Sequence, residues 1–269
     1  MIALIMEPVV CAQSANFNSS VSANDLARAV IANELKREVD RSGWIYDVDR
    51  EESGKRQTKK VVQTPEGSLE RLIAVDGRVL PSNKQQEEVE RIEKSLYDSR
   101  EQEKLKEDKR KDAEEREAFF KMIPDVFVVS YQGREGEFIK LSFKPNPTFQ
   151  PSSREGRVLH AMEGELVVQA RKKRLASISG HLVEEVKFGG GLLGHLERGG
   201  TFSVTRTEVA PDIWMMAGMN VNMKGKALFL KNIAMQEKED RSNFRKLGED
   251  LTLKDAANIL ANKIVLAVK

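Results

Sequence analysis

Regular alternation of apolar and polar residues in the second half of the chain restricts its fold more than any other feature. Met219–Lys224 and Ile139–Lys144 each carry an apolar residue at every second position. Successive residues of a β-strand point to opposite sides, so such a segment has one apolar and one polar face. The chain is therefore predicted to form a sheet whose apolar face must be covered or used for binding.

Many such segments follow one another, and no helical pattern interrupts them between Arg157 and Glu237. Repeated strands without crossover helices favour an antiparallel meander. Asp76-Gly77 is a hairpin signal within the third strand. The predicted strands are Trp44–Asp49, Lys55–Thr64, Leu69–Leu80, Val126–Tyr131, Glu137–Lys144, Val158–Met162, Glu165–Ala170, Leu175–Phe188, Gly200–Val209, Ile213–Met223 and Lys226–Glu237.

Helices are predicted at both ends of the chain and in one charged segment. Ser22–Arg41 has rough helical spacing, with a capping box that places Asp25 three residues after Ser22. Asn83–Lys121 is dominated by charged residues, and Pro124 is expected to end it. This insertion is read either as a protruding solvated helix or as a lid or partner-docking arm. Leu251–Lys269 is predicted to be an amphipathic terminal helix, and Arg241–Gly248 irregular or helical.

Composition excludes several classes of function. The 269 residues carry a net charge of only +2, which is no electrostatic footprint for nucleic acid. A single cysteine, Cys11, permits neither an internal disulfide nor a cysteine-based zinc site. His160, His181 and His195 show no ligand spacing, and no run reaches the ~20 apolar residues of a membrane span. We expect no cofactor and no metal, and no nucleophile stands at a spacing that would suit an enzyme.

The first residues resemble the end of an export signal. Met1–Ala12 is mostly apolar, and the chain then becomes rich in serine and asparagine up to Ser20. Three interpretations stay open: a cleaved or truncated signal, a lipid-attachment site at Cys11, and an ordinary chain terminus.

The glycine-rich segment Phe188–Gly200 contains the spacing G-x-G-x-x-G. In a dinucleotide-binding fold these glycines open a helix, whereas here another strand follows, so a hairpin connection is favoured. Its three leucines either tuck into the hollow of the sheet or contact a ligand or a membrane. The basic turn Arg171–Arg174 is either solvated or suited to phosphate and anionic headgroups. Trp214 and the nearby methionines form either sheet core or an adaptable apolar surface.

These segments also carry a resemblance to a known family. The chain from about Asp125 to Asp250 resembles bacterial outer-membrane lipoprotein-sorting (LolA-like) proteins. The residues that carry the resemblance are Ile178–Leu196, Gly199–Phe202, Val209–Pro211, Trp214 and Val221–Ala227. The resemblance implies a curved, incompletely closed antiparallel barrel, a periplasmic setting and an apolar cavity for acyl chains.

Taken together, the sequence predicts an α+β protein: a curved antiparallel sheet, or incomplete barrel, with helices over its concave face and one long charged helical insertion. Residues 1–20 are expected to be a truncated signal or a disordered N-terminus, residues 21–250 a single half-barrel domain with the insertion at 83–121, and residues 251–269 a C-terminal helical tail. The expected function is non-catalytic binding of lipid or lipoprotein acyl chains; the alternative is an envelope sensor or scaffold that uses the charged helix. Partners would be acyl chains and an envelope protein, without nucleic acid or a transmembrane span. The candidate binding residues are Ile139, Leu141, Phe143, Leu192, Leu193, Leu196, Trp214, Met219, Val221 and Met223.

Overall fold

The computed structural model describes residues 21–36, 42–191, 193–227 and 231–261. Within these ranges the helices are α1 (Ala23–Lys36), α2 (Ser82–Tyr97), α3 (Ser99–Val126), α4 (Arg154–His160) and α5 (Leu253–Ala261). The first strands are β1 (Trp44–Glu52), β2 (Lys55–Thr64), β3 (Gly67–Val75), β4 (Arg78–Val79), β5 (Phe127–Glu135) and β6 (Phe138–Pro145). The others are β7 (Met162–Gln169), β8 (Arg174–Leu182), β9 (Val186–Phe188), β10 (Gly194–Leu196), β11 (Thr201–Ala210), β12 (Ile213–Ala227) and β13 (Lys231–Lys246).

All of these strands belong to one antiparallel sheet, in the order β4-β3-β2-β1-β13-β12-β11-β8-β7-β6-β5. The short strands β9 and β10 extend it beside β12. Strands β4 and β5 are the two ends of this order, so the sheet is not closed into a barrel. The predicted α+β class with a large, curved and unclosed antiparallel sheet is confirmed.

Helix α3 shows how strongly the sheet is curved. Leu105 of α3 packs on the core beside β3, whereas Ile123 lies in the core beside β5. These two residues are ~27 Å apart along a helix that rises 1.5 Å per residue. In a flat sheet β3 and β5 would be separated by nine strand spacings, or roughly 43 Å. The sheet must therefore curl, because one helix reaches both of its ends.

The largest hydrophobic core lies on the apolar face of β5–β8. Ile139, Leu141 and Phe143 point into it, and α1, α4 and the end of α3 cover it. Phe127 and Phe143 contact each other with ring centroids 4.6 Å apart. The apolar residues of the alternating pattern in β6 therefore point into the core, as the sequence predicted.

A second core lies under α2 and α5, at the β1–β3 end of the sheet. Ile45 and Val62 form its floor, and Ile92 of α2 is completely enclosed there. Residues that pair across antiparallel strands point to the same face of the sheet. Following these pairs from β1 to β6 shows that Thr205 of β11 and Lys140 of β6 lie on the same face as Ile45. Helices α2 and α5 thus cover the face opposite to the one that α1 and α4 cover.

Strand β1 departs from simple alternation, since Trp44, Ile45 and Tyr46 are all buried. Ile45 belongs to the second core, whereas Trp44 and Tyr46 form a third core on the other face. There the ring of Phe244 lies 5.3 Å from that of Tyr46. Both faces of the sheet are therefore apolar at this strand.

Two segments have a different structure from the predicted one. The strand predicted at Val158–Met162 is wrong: Val158 lies in α4, which Ser153 caps by accepting a hydrogen bond from the Gly156 N–H at 2.9 Å. The irregular or helical segment predicted at Arg241–Gly248 is also wrong, because β13 continues to Lys246. Pairing with β1 holds these polar residues in the strand despite their weak β propensity.

The helical insertion also differs from the prediction in detail. It consists of two helices that meet at Asp98, whose carboxylate accepts hydrogen bonds from the first N–H groups of α3. Pro124 does not end α3 but lies in its last turn. Leu175–Phe188 likewise forms two strands, β8 and β9, instead of one.

Candidate functional site

Two neighbouring rows of side chains cross the sheet on the face that carries the largest core. Residues that pair across antiparallel strands point to the same side, so each row can be followed from strand to strand. The first row is Leu141, Leu166, Ile178, Val204, Met219, Glu239 and Arg50. The second row is Phe143, Gly164, Gly180, Phe202, Val221, Glu237 and Glu52.

Exposure increases along both rows from β6 as far as β12. Leu141 and Phe143 are 0% and 2% exposed under α1 and α4, whereas side chains on β8, β11 and β12 are only half-buried. Met235, which pairs with Met223, is 49% exposed. The core thus continues into an open apolar surface, termed here the apolar strip. Its residues are Ile178, Phe202, Val204, Met219, Val221 and Met235.

Charged side chains bound the far end of the strip. Arg50 Nη2 lies 3.0 Å from a carboxylate oxygen of Glu237. Arg241 Nε donates to the buried Glu239 at 2.6 Å, and its guanidinium lies 5.4 Å from the centre of the Tyr46 ring. The strip is therefore amphiphilic along its length, with packed hydrocarbon at one end and ion pairs at the other.

Helix α1 is held over the covered part of this face by a buried ion cluster. Glu34 of α1 contacts Arg206 of β11, and its other oxygen lies 3.3 Å from Nε of Arg174 on β8. The same carboxylate accepts a hydrogen bond from the Leu175 N–H at 3.2 Å. Arg206 also donates to the backbone carbonyl of Trp214 at 2.7 Å. One carboxylate thereby joins α1 to two strands.

The basic turn Arg171–Arg174 is not a uniform cationic surface. Arg174 is buried against Glu34, and Lys172 binds Glu208 at 2.6 Å and Asp212 at 3.3 Å. The hydrogen bond with Glu208 raises the pKa of Lys172, and the same bond lowers the pKa of Glu208. Two of the four cations are thus engaged within the protein.

The candidate residues fall into three groups. Ile139, Leu141, Phe143 and Met223 are buried in the largest core, and Trp214 is buried near Arg206. Met219 and Val221 belong to the apolar strip, and Leu196 packs beside it on the same core. Leu193 is 43% exposed in the glycine-rich connection, and Leu192 lies outside the described residues.

The sequence reading overlooked Ile178, Phe202 and Val204. Each alternates with serine or threonine, so the signal that selected Met219 and Val221 was present there as well. It also overlooked Glu34, because a charged residue in an amphipathic helix is ordinarily solvated.

Within the described part of the chain, no group of three or more His, Cys, Asp or Glu residues is placed to hold a metal ion. None of the described helices combines the length and apolar character needed to cross a membrane.

Comparisons with known proteins give little further guidance. No family model matches the chain, and no curated protein matches its sequence. A solved structure, that of a DUF1329 family protein from Desulfovibrio piger, is similar over 84% of this chain and 94% of that chain, with 10% identity and a TM-score of 0.27. A similarity of this strength carries no argument about fold or function.

Proposed function

We propose that this protein is a non-catalytic binding protein that holds the acyl chains of lipid or lipoprotein against the apolar strip. The proposal places it in the periplasm, in the manner of the lipoprotein-sorting proteins that its sequence resembles. The observation that carries it is the continuation of the packed core into half-buried side chains of β8, β11 and β12.

Physical chemistry supports an acyl chain as the ligand. Each methylene that leaves water contributes about 0.8 kcal/mol, so hydrocarbon alone provides affinity. Methionines such as Met219 and Met235 adapt to chains of differing shape. The ion pairs of Arg50 and Arg241 give the polar end of an amphiphile hydrated neighbours.

The test is a binding titration with a fluorescent fatty acid, together with mass spectrometry of lipid extracted from the purified protein. Val204→Thr combined with Val221→Thr keeps the shape of the strip but adds two hydroxyls. We expect binding to weaken about tenfold or more, because each hydroxyl placed against an acyl chain costs ~1–2 kcal/mol. The matched control is Val128→Thr, an exposed valine on the opposite face of β5.

If the double variant and the wild type bind the fatty acid with equal affinity, the apolar strip is not part of the binding site. Absence of both co-purified lipid and fatty-acid binding would refute the acyl-chain function itself.

A second candidate is an envelope sensor or scaffold that acts through α3. Leu105 and Phe120 fix the two ends of this helix, while the residues between them are mostly exposed and carry internal ion pairs such as Arg110 with Glu107 and Glu114. Such a charged surface is available to a partner. Reversing the exposed charges Asp108, Asp112 and Glu115 to lysine separates the two functions. If this variant no longer cross-links to an envelope protein but still binds fatty acid, the sensor or scaffold function is favoured.

A further inference from the structure

A groove of about 640 Å³ lies on the polar face of the sheet, opposite the apolar strip. Ser142, Ser179 and Ser203 form its floor on β6, β8 and β11. They belong to one pairing row, in which Glu165 of β7 stands between Ser142 and Ser179. The short serine side chains leave depressions beside Glu165 that larger residues would fill. Its volume falls within the ~300–1,000 Å³ of ordinary ligand sites.

Two glycines contribute only their backbone to the groove. Gly164 and Gly180 are paired on β7 and β8, in the row of Phe143 and Phe202 on the opposite face, and both line the groove. A Cβ on Gly164 would lie 2.0 Å from the Ser179 carbonyl oxygen, and one on Gly180 would lie 2.8 Å from the Phe202 ring. A side chain at either position would clash with the neighbouring strand and with the ring of Phe143 or Phe202, so both positions require glycine.

The walls are rich in groups that form hydrogen bonds. Glu163 and Glu165 offer carboxylates, Lys144 an ammonium group, and Asn220 an amide. His181 lies across the ladder from Glu163, with its Nε2 3.5 Å from the carboxylate. Lys144, Glu163 and Glu165 together carry a charge of about −1, which does not favour an anion.

We propose that this groove binds a neutral, hydroxyl-rich ligand of the saccharide class. Neighbouring sugar hydroxyls donate to carboxylates and accept from amides, ammonium and serine hydroxyls, and this is the mixture that the groove presents. Most of the lining residues are polar or charged, which disfavours an acyl chain, although Phe143 and Phe202 also contribute to the lining. The interspersed charges of both signs disfavour a strongly charged ligand. The proposal does not rest on acyl binding, because it concerns the opposite face.

The test is an NMR titration of the full-length protein with maltotetraose, cellotetraose and chitotetraose as probes. We expect saturable shifts in the millimolar range or tighter for at least one of them, centred on Ser179, Gly180 and Thr201. Ser203→Leu fills the floor and should weaken that binding at least tenfold. Ser242→Leu, the same change at an exposed position of β13 outside the groove, should leave it unchanged.

The proposal is overturned if none of the three saccharides gives saturable shifts in this groove, or if Ser203→Leu binds as well as the wild type. Saturable binding of spermidine without saccharide binding would likewise overturn it, in favour of a cationic ligand. Fatty-acid binding measured on the same Ser203→Leu sample shows whether the variant remains folded.

Discussion

Replacement of Glu34 by glutamine is expected to be among the most destabilising single polar substitutions in this protein. Its side chain is 3% exposed, and the partner side chains of Arg174 and Arg206 are 4% and 7% exposed. Glutamine preserves the shape but removes the carboxylate charge that faces two buried guanidinium groups. Removing one member of a buried ion pair costs about 3–5 kcal/mol. That loss is a large fraction of the ~5–15 kcal/mol that stabilises a typical domain.

Urea denaturation measures this loss. At a slope of ~2–3 kcal/mol per molar urea, the midpoint should fall by about 1–2.5 M with little change in slope. A double-mutant cycle with Arg206→Met should give a coupling energy of at least ~1 kcal/mol, because the two side chains are in direct contact. The matched control is Glu135→Gln, which breaks the exposed pair with Lys140 and should cost less than ~1 kcal/mol.

If Glu34→Gln lowers the free energy of unfolding by less than about 1 kcal/mol, the cluster of Glu34, Arg174 and Arg206 behaves like a solvated surface ion pair. The inference that it fixes α1 to β8 and β11 would then be refuted. Hydrogen exchange gives an independent reading, since amides of α1 should lose protection first when Glu34 is changed.

Two further predictions test the fold. Burial acts to raise the pKa of Glu88, but hydrogen bonds from Arg91 and from the Leu72 N–H outweigh it, so the pKa is lowered on folding. Glu88→Gln should therefore cost about 1 kcal/mol near pH 7, and the difference from wild type should shrink as pH falls below ~4.3, where the unfolded carboxyl becomes protonated; a difference that grows on acidification would contradict this. Gly43 and Gly54 have similar φ values of +76° and +78°, but a Cβ on Gly43 would lie 1.5 Å from a backbone oxygen, whereas Gly54 faces open space. Gly54→Ala should cost only ~1–2 kcal/mol of backbone strain, and Gly43→Ala at least ~3 kcal/mol more; equal melting temperatures would show that the close approach relaxes freely.

Strands with clear alternation were predictable, and those held by pairing alone were not. The β2 boundaries, Lys55–Thr64, follow from residue pattern and turn signals, and the break at Asp76-Gly77 separates β3 from β4 as predicted. The end of β13 lacks such a pattern, because its ladder with β1 is specified by a distant segment. Helix α4 was missed for a different reason, because its seven residues are too few for a helical period to be recognised.

The candidate site was predictable in part for a related reason. Alternation identified Met219 and Val221, but only the register shows that they lie in rows with Val204 and Phe202. The polar groove has no local signature: Ser142, Ser179 and Ser203 are separated widely in sequence and meet only through pairing. Single serines in strands ordinarily indicate nothing more than a solvated face.

Helix α3 has a mechanical consequence for the curved sheet. The two ends of α3 are packed in different cores, one beside β3 and the other beside β5. The length of the helix therefore fixes the distance between these two parts of the sheet. Inserting one helical turn between Leu105 and Phe120 would add ~5.4 Å to that span, and whole turns would preserve the orientation of both anchors. The aperture of this half-barrel is thus set by the number of residues in a charged helix rather than by the sheet itself.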